Sequence, residues 1–155
     1  MPIPAKVTKH LDANKVKYDV VPHKTVFTVY DLAQTLKIKM NGIIKTLLVK
    51  ADKEYVLTVL PAHVRLDLVA LKKTLKAKVV RLAKEKEMQL QFKVKPGAMT
   101  PFGSLHKVAV VMDTSLAKAE KVLLGAGTFT ESLRMKMKDY VKLEKPTVAK
   151  ISSKK

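Results

Sequence analysis

The chain has 155 residues, enough for one domain with one core, and its 47% hydrophobic content is that of a globular protein. It has no cysteine, which excludes disulfides, thiolate metal sites and cysteine nucleophiles together. Lysine and arginine number 31 against 13 acids, a net charge of +18 that points to a polyanionic partner.

Nucleic acid fits that charge better than a membrane surface, because no strongly amphipathic basic helix stands out; the other reading is a lysine-rich surface kept for solubility. Four Phe, four Tyr and no Trp make a poor single-strand base reader. The start, Met1 to Leu11, lacks an apolar leader core and no run reaches membrane-spanning length, so a cytoplasmic protein with no membrane partner is expected.

Pro4 to Asn14 reads as a short helix with Val7 and Leu11 on one stripe, and Tyr18 to Pro22 as a strand. Thr28-Val29-Tyr30-Asp31 has the capping-box spacing and opens a helix through Leu36, with Leu32, Ala33 and Leu36 facing the core. Asn41-Gly42 is a turn. Ile43 to Ala51 and Tyr55 to Pro61 are strands of a hairpin around Asp52-Lys53-Glu54. Asp67 caps a helix through Leu75, Lys78 to Leu82 is a strand, and Ala83 to Leu90 is a short charged helix with Glu85 and Glu87 on a solvated face. Lys107 to Met112 is an apolar strand ending at Asp113. Glu120 to Leu124 is a strand stopped by Gly125-Ala126-Gly127, Thr128 to Met135 alternates as another, and Lys136 to Leu143 is the last helix.

This order predicts one mixed α/β domain over residues 1–144, with a mixed or barrel-like sheet surrounded by helices. Residues 145–155 read as a basic flexible tail.

The stretch Pro96 to Gly103 (PGAMTPFG) is the one place where two prolines and two glycines fall within eight residues. Such a loop is a stiff turn with bare backbone N–H groups able to hold a carbonyl or an oxyanion; the other reading is an ordinary tight connection. Lys45 shares a strand face with Ile43, Leu47 and Val49, so its amine must snorkel, pair or serve a site; in a pocket it suits phosphate. Gly125-Ala126-Gly127 is not a dinucleotide fingerprint, because Thr130 stands at the last glycine position, and a turn or bulge is the plainer reading. His10, His23, His63 and His106 have no metal-ligand spacing, and Ser104-Leu105-His106 reads as chance neighbours. No metal site and no cofactor is expected, and neither a Walker loop nor G-x-S-x-G is present.

Taken in order, Asp31-Leu32-Ala33, Ile44-Lys45-Thr46-Leu47-Leu48-Val49, Val59-Leu60-Pro61-Ala62, Leu66-Asp67-Leu68, the Pro96–Gly103 loop and Val111-Met112-Asp113 resemble the YbaK/prolyl-tRNA editing family. Gly125-Ala126-Gly127-Thr128 with Ser132 to Met135 resembles the end of its freestanding members. The resemblance covers about residues 15–144 and implies a mixed α/β fold around a barrel-like sheet. It also implies trans-editing: hydrolysis of the ester joining a wrong, small amino acid to tRNA, usually a tRNA(Pro), without a covalent protein nucleophile.

Under the same resemblance Lys45 engages the phosphate or ribose end of the terminal adenosine. Gly97, Ala98, Met99, Thr100 and Pro101 form the catalytic loop whose backbone holds the aminoacyl group. Phe102, Gly103, Gly125, Gly127, Thr128 and Phe129 are expected to bind substrate. Alanine-selective members carry a histidine where this chain has Phe129, so substrate choice is expected to differ. The partners implied are the aminoacylated end of tRNA and a prolyl-tRNA or other synthetase. The competing expectation, favoured by the charge and by Phe129, is a non-catalytic RNA-binding module that recruits a synthetase.

Overall fold

A computed structural model of the chain describes residues 3–93 and 99–153. Its elements are α1 (Ala5–Ala13), β1 (Asp19–Pro22), α2 (Val29–Leu36), β2 (Ile44–Ala51), β3 (Glu54–Pro61), β4 (Arg65–Leu66), α3 (Leu68–Leu75), β5 (Val80–Leu82), α4 (Glu85–Glu87) and α5 (Gly103–His106). They continue with β6 (Ala109–Asp113), β7 (Lys121–Gly125), β8 (Glu131–Lys136), α6 (Met137–Glu144), β9 (Thr147–Ala149) and β10 (Ser152–Ser153). Among the described residues the strands make a five-stranded mixed sheet, β5-β2-β3-β6-β9, a three-stranded antiparallel sheet, β1-β8-β7, and the small pair β10-β4. Among these residues the sheets do not close into a barrel.

The local signals act as expected. Thr28 Oγ1 accepts the Asp31 N–H at 3.0 Å and starts α2, and Asp67 accepts from Val69 and Ala70 to start α3. The hairpin β2–β3 pairs Ile44 with Pro61 through Ala51 with Glu54, turning at Asp52, whose φ is +53°.

This hairpin is apolar on both faces because both faces are covered. Leu48, Leu57, Val59, Val110 and Met112 bury one face against α1, α6 and the second sheet. Val49, Val56 and Val111 bury the other against Leu71 of α3 and Ile151. Each such side chain contributes about 1.5–3 kcal/mol of transfer free energy.

Three expectations are corrected. Residues 145–153 are not a loose tail: β9 extends the large sheet parallel to β6, β10 pairs with β4, and Ile151 is fully buried. Their anchor is Asp113, whose Oδ1 accepts the Ile151 N–H at 2.8 Å and whose Oδ2 accepts the Ser152 hydroxyl at 3.0 Å. Glu87 is not a free carboxylate on a solvated face: partly buried, it takes a bidentate bond from Arg81 (2.7 and 3.1 Å), the Tyr55 hydroxyl at 2.5 Å and the Lys84 N–H at 2.8 Å. The Arg81 guanidinium first, then these other donors, hold the Glu87 carboxyl far below the usual carboxylate range. The charged helix at residues 83–90 is a single turn, α4, that widens into a π-type turn at Met88–Phe92.

Helices end unusually. Lys37, Lys76, Lys93, Lys107 and Lys145 close helical segments in the left-handed conformation, with φ between +47° and +59°. With only five glycines in the chain, lysine takes the place glycine usually holds, and its charge complements the negative end of the helix.

Candidate active site

The cavity arises where the two main sheets part. β2 and β7 touch through the bridge Ile43–Leu123 and pair no further among the described residues. The Ile43 carbonyl takes the Ala62 N–H at 2.9 Å, so odd positions of β2 bond to β3 and even positions aim their main chain outward. The outward Leu48 carbonyl is taken by Ala83 at 2.9 Å, and β5 covers only Val49 to Ala51. The stretch Ile44 to Leu47 is therefore an open strand edge among the described residues, and with Leu48 it lines a cavity of about 320 Å3.

Lys45, Met99, Gly125 and Thr128 line this same cavity. Lys45 is half-buried opposite Leu60, and its amine donates to the Val64 carbonyl. Gly125 approaches the loop so closely that a Cβ there would stand 3.2 Å from the Met99 carbonyl oxygen. Any side chain at 125 would press on that backbone, so this glycine sets the fit between β7 and the loop. Thr128 Oγ1 lies 3.4 Å from Thr130 Oγ1 at the turn into β8.

The remaining expected site residues fall elsewhere. Phe102 is fully buried in the main core against Tyr140, with ring centroids 6.1 Å apart, and is not a cavity wall. Gly103 is a packing position: a Cβ there would lie 2.5 Å from both the Val108 carbonyl oxygen and Val110 Cγ2. Thr100 and Pro101 are buried, and the Pro101 carbonyl accepts the Tyr140 hydroxyl at 2.6 Å, which ties the loop to α6. Gly127 forms the turn after β7 with φ +91°. Phe129 does not line the cavity; it supports Phe27, which does, at a centroid distance of 4.9 Å. Gly97 and Ala98 lie outside the described residues.

Two cavity residues carry no local signal in the sequence, His23 and Ser132. Ser132 pairs with Gly125 on β7 and with Val21 on β1, two residues before His23, so all four point to one face of the small sheet. His23 Nε2 lies 2.9 Å from Ser132 Oγ and its Nδ1 lies 2.8 Å from the Lys24 carbonyl oxygen. The two residues are 109 positions apart, so only the fold brings them together.

A second histidine–serine contact sits on the surface. Glu144 accepts the Ser104 hydroxyl at 2.6 Å and its N–H at 2.9 Å, and His10 Nε2 is 2.8 Å from the same Ser104 oxygen. The hydroxyl donates its hydrogen bond to the carboxylate and not to His10, so this cluster clasps α1, α5 and α6. His106 packs edge-on to Phe92 at 5.5 Å, and burial pushes its pKa down. Among the described residues no three His, Asp or Glu side chains cluster in a way that could hold a metal ion. Also among them, no helix is long and apolar enough to cross a membrane.

A five-stranded mixed sheet and a three-stranded antiparallel sheet, with Lys45, Met99 and Gly125 around one cavity, make a mixed α/β domain. The chain belongs to the aminoacyl-tRNA editing domain family, whose model matches residues 23–143. It is 25% identical to the prolyl-tRNA editing protein ProX of Acetoanaerobium sticklandii, over 90% of this chain and 88% of that one. It is 31% identical to a proline–tRNA ligase of Bacillus velezensis over 65% of this chain, spanning 17% of the ligase's length. Among solved structures, the hypothetical protein APE2540 superposes with a TM-score of 0.88 at 24% identity, covering 96% of this chain and 99% of that one. A candidate trans-editing enzyme for prolyl-tRNA synthetase does so at 0.85 and 22%, covering 99% and 98%. The fold is that of these two structures.

Proposed function

We propose that this chain hydrolyses mischarged aminoacyl-tRNA in trans, removing a small wrong amino acid from a tRNA(Pro)-type substrate. The observation that carries the reading is the meeting of Lys45, Met99 and Gly125 in one cavity, within a domain of the editing family. The cavity, about 320 Å3 and apolar along Ile44, Leu48 and Val26, suits a small side chain attached to a polar ester. An ester is already activated, so holding it beside water and fixed backbone donors supplies much of the rate; one oxyanion donor contributes about 3 kcal/mol.

In this reading the Lys45 ammonium holds the terminal phosphate or ribose, and the 97–101 backbone holds the aminoacyl carbonyl. Gly125 and Thr128 form the floor, and Phe27, backed by Phe129, limits the width. The lysine-rich surface supplies affinity for the RNA backbone. Prolyl-tRNA synthetase is the partner that this substrate class implies.

The deciding experiment is a deacylation panel of Ala-, Cys- and Ser-charged tRNA(Pro) with other mischarged tRNAs. Hydrolysis of at least one member by the wild type is expected. No hydrolysis, together with tight binding of uncharged tRNA, would make the protein a binding module instead.

A further inference from the structure

We propose that Ser132 and His23 form a proton relay for the water that attacks the ester in this cavity, an assignment that rests on the deacylase reading above. The argument begins with hydrogen-bond direction. The Lys24 carbonyl can only accept, so the His23 Nδ1 facing it at 2.8 Å carries the hydrogen. In the neutral ring Nε2 then holds a lone pair, and the only hydrogen on the line between it and Ser132 Oγ, 2.9 Å away, is the hydroxyl's. Ser132 thus donates to a base. Ser104, by contrast, donates its hydroxyl hydrogen bond to the Glu144 carboxylate at 2.6 Å, out on the surface.

Position gives the second argument. Ser132 is 4% exposed, yet it lines the cavity beside Gly125, its cross-strand partner. Gly125 puts no side chain over the hydroxyl, and both residues line the cavity directly. A water entering the cavity at Ser132 would meet an oxygen whose own hydrogen is committed to His23, with its lone pairs left to accept from the water.

The step balances without any further reagent. As the water oxygen bonds to the ester carbonyl carbon, the water passes one proton to Ser132 Oγ, which releases its own proton to His23 Nε2. When the tetrahedral adduct collapses, the carbon bond to the ribose oxygen breaks. The proton returns by the same route to that oxygen, freeing the amino acid and the tRNA hydroxyl. No covalent link to the protein forms.

The test compares wild type with His23→Gln and Ser132→Ala on whichever mischarged tRNA of the panel the wild type hydrolyses. Glutamine at 23 can still accept the Ser132 hydrogen through its amide oxygen but cannot take up a proton, so it preserves a merely structural contact. The relay predicts that both variants lose about 100-fold or more in kcat with KM changed less than about threefold. Nitrogen NMR of the wild-type imidazole should show the Nδ1–H tautomer in the neutral ring, independent of any activity. A His23→Gln variant within threefold of wild-type kcat, a neutral Nε2–H tautomer, or an aminoacyl adduct trapped on Ser132 would each overturn the relay. A wild type inactive on the whole panel defeats the deacylase reading and the relay with it; an active wild type beside an equally active His23→Gln defeats the relay alone.

Discussion

Asp113 reaches across 38 residues to accept the Ile151 N–H at 2.8 Å, and so fastens the segment after β9 to the end of β6. The same carboxylate accepts from Ser152 and from both the N–H and the hydroxyl of Ser115. Burial pushes the Asp113 carboxyl up, but the Ser115 hydroxyl, the Ile151 N–H, the Ser152 hydroxyl and the Ser115 N–H together hold it below its ordinary value. A group depressed in this way stabilises the fold above the unfolded value of about 3.9, and that stability is lost as pH falls through the lower folded value. Asp113→Asn should cost about 2 kcal/mol at neutral pH and flatten the acid limb of the stability curve, measured by urea unfolding at pH 7 and below pH 4. An unchanged acid limb would remove Asp113 from this role.

Lys45→Ala should leave the unfolding midpoint within about 1 kcal/mol of wild type, since the half-buried amine sits at the sheet edge on the Val64 carbonyl. Deacylation should fall by about 100-fold or more. Loss of folding in parallel with activity, seen by circular dichroism, would make Lys45 structural instead.

Gly125→Ala tests the contact between β7 and the loop. The new Cβ would stand 3.2 Å from the Met99 carbonyl oxygen, tight enough to push that backbone by a few tenths of an ångström. Stability should drop by about 1 kcal/mol, and activity by about tenfold because the loop moves relative to the substrate. Gly103→Ala should reverse that balance. Its Cβ would meet Val108 and Val110 at 2.5 Å, so unfolding free energy should fall by about 3 kcal/mol while catalysis in the remaining folded fraction is kept.

Binding of uncharged tRNA should weaken steeply with salt, given a net charge of +18. A log–log slope of about −4 corresponds to about five phosphate contacts, and filter binding between 50 and 200 mM salt, a range over which that slope lowers affinity by about 250-fold, reads it directly. A flat response would mean that the lysines serve solubility alone.

What could be read from the sequence was what local chemistry decides. Thr28 with Asp31 and Asp67 with Ala70 mark helix starts within four residues, and the β2–β3 hairpin announces itself by two apolar runs around Asp52-Lys53-Glu54. Lys45 and the glycine of β7 were legible as site candidates because a lysine in an apolar row and a glycine ending a strand are each locally odd. The tail strands were not legible: Thr147 to Ala149 pair in parallel with β6, and only the distant Asp113 gives the segment a reason to dock. The resemblance assigns Phe102 to substrate binding, and the distant Tyr140 of α6, which local sequence does not reveal, packs against it in the core. His23 and Ser132 needed the sheet to bring them together, since neither has an informative neighbour in the chain.

The lysines that end the helices carry one more implication. A glycine at Lys76 and at Lys145 would relieve left-handed backbone strain, by about 1 kcal/mol each, while removing two of the cations that attract a polyanion. Heat resistance and grip on RNA are thus opposed at the same positions. A variant selected only for surviving higher temperature should drift toward weaker tRNA capture.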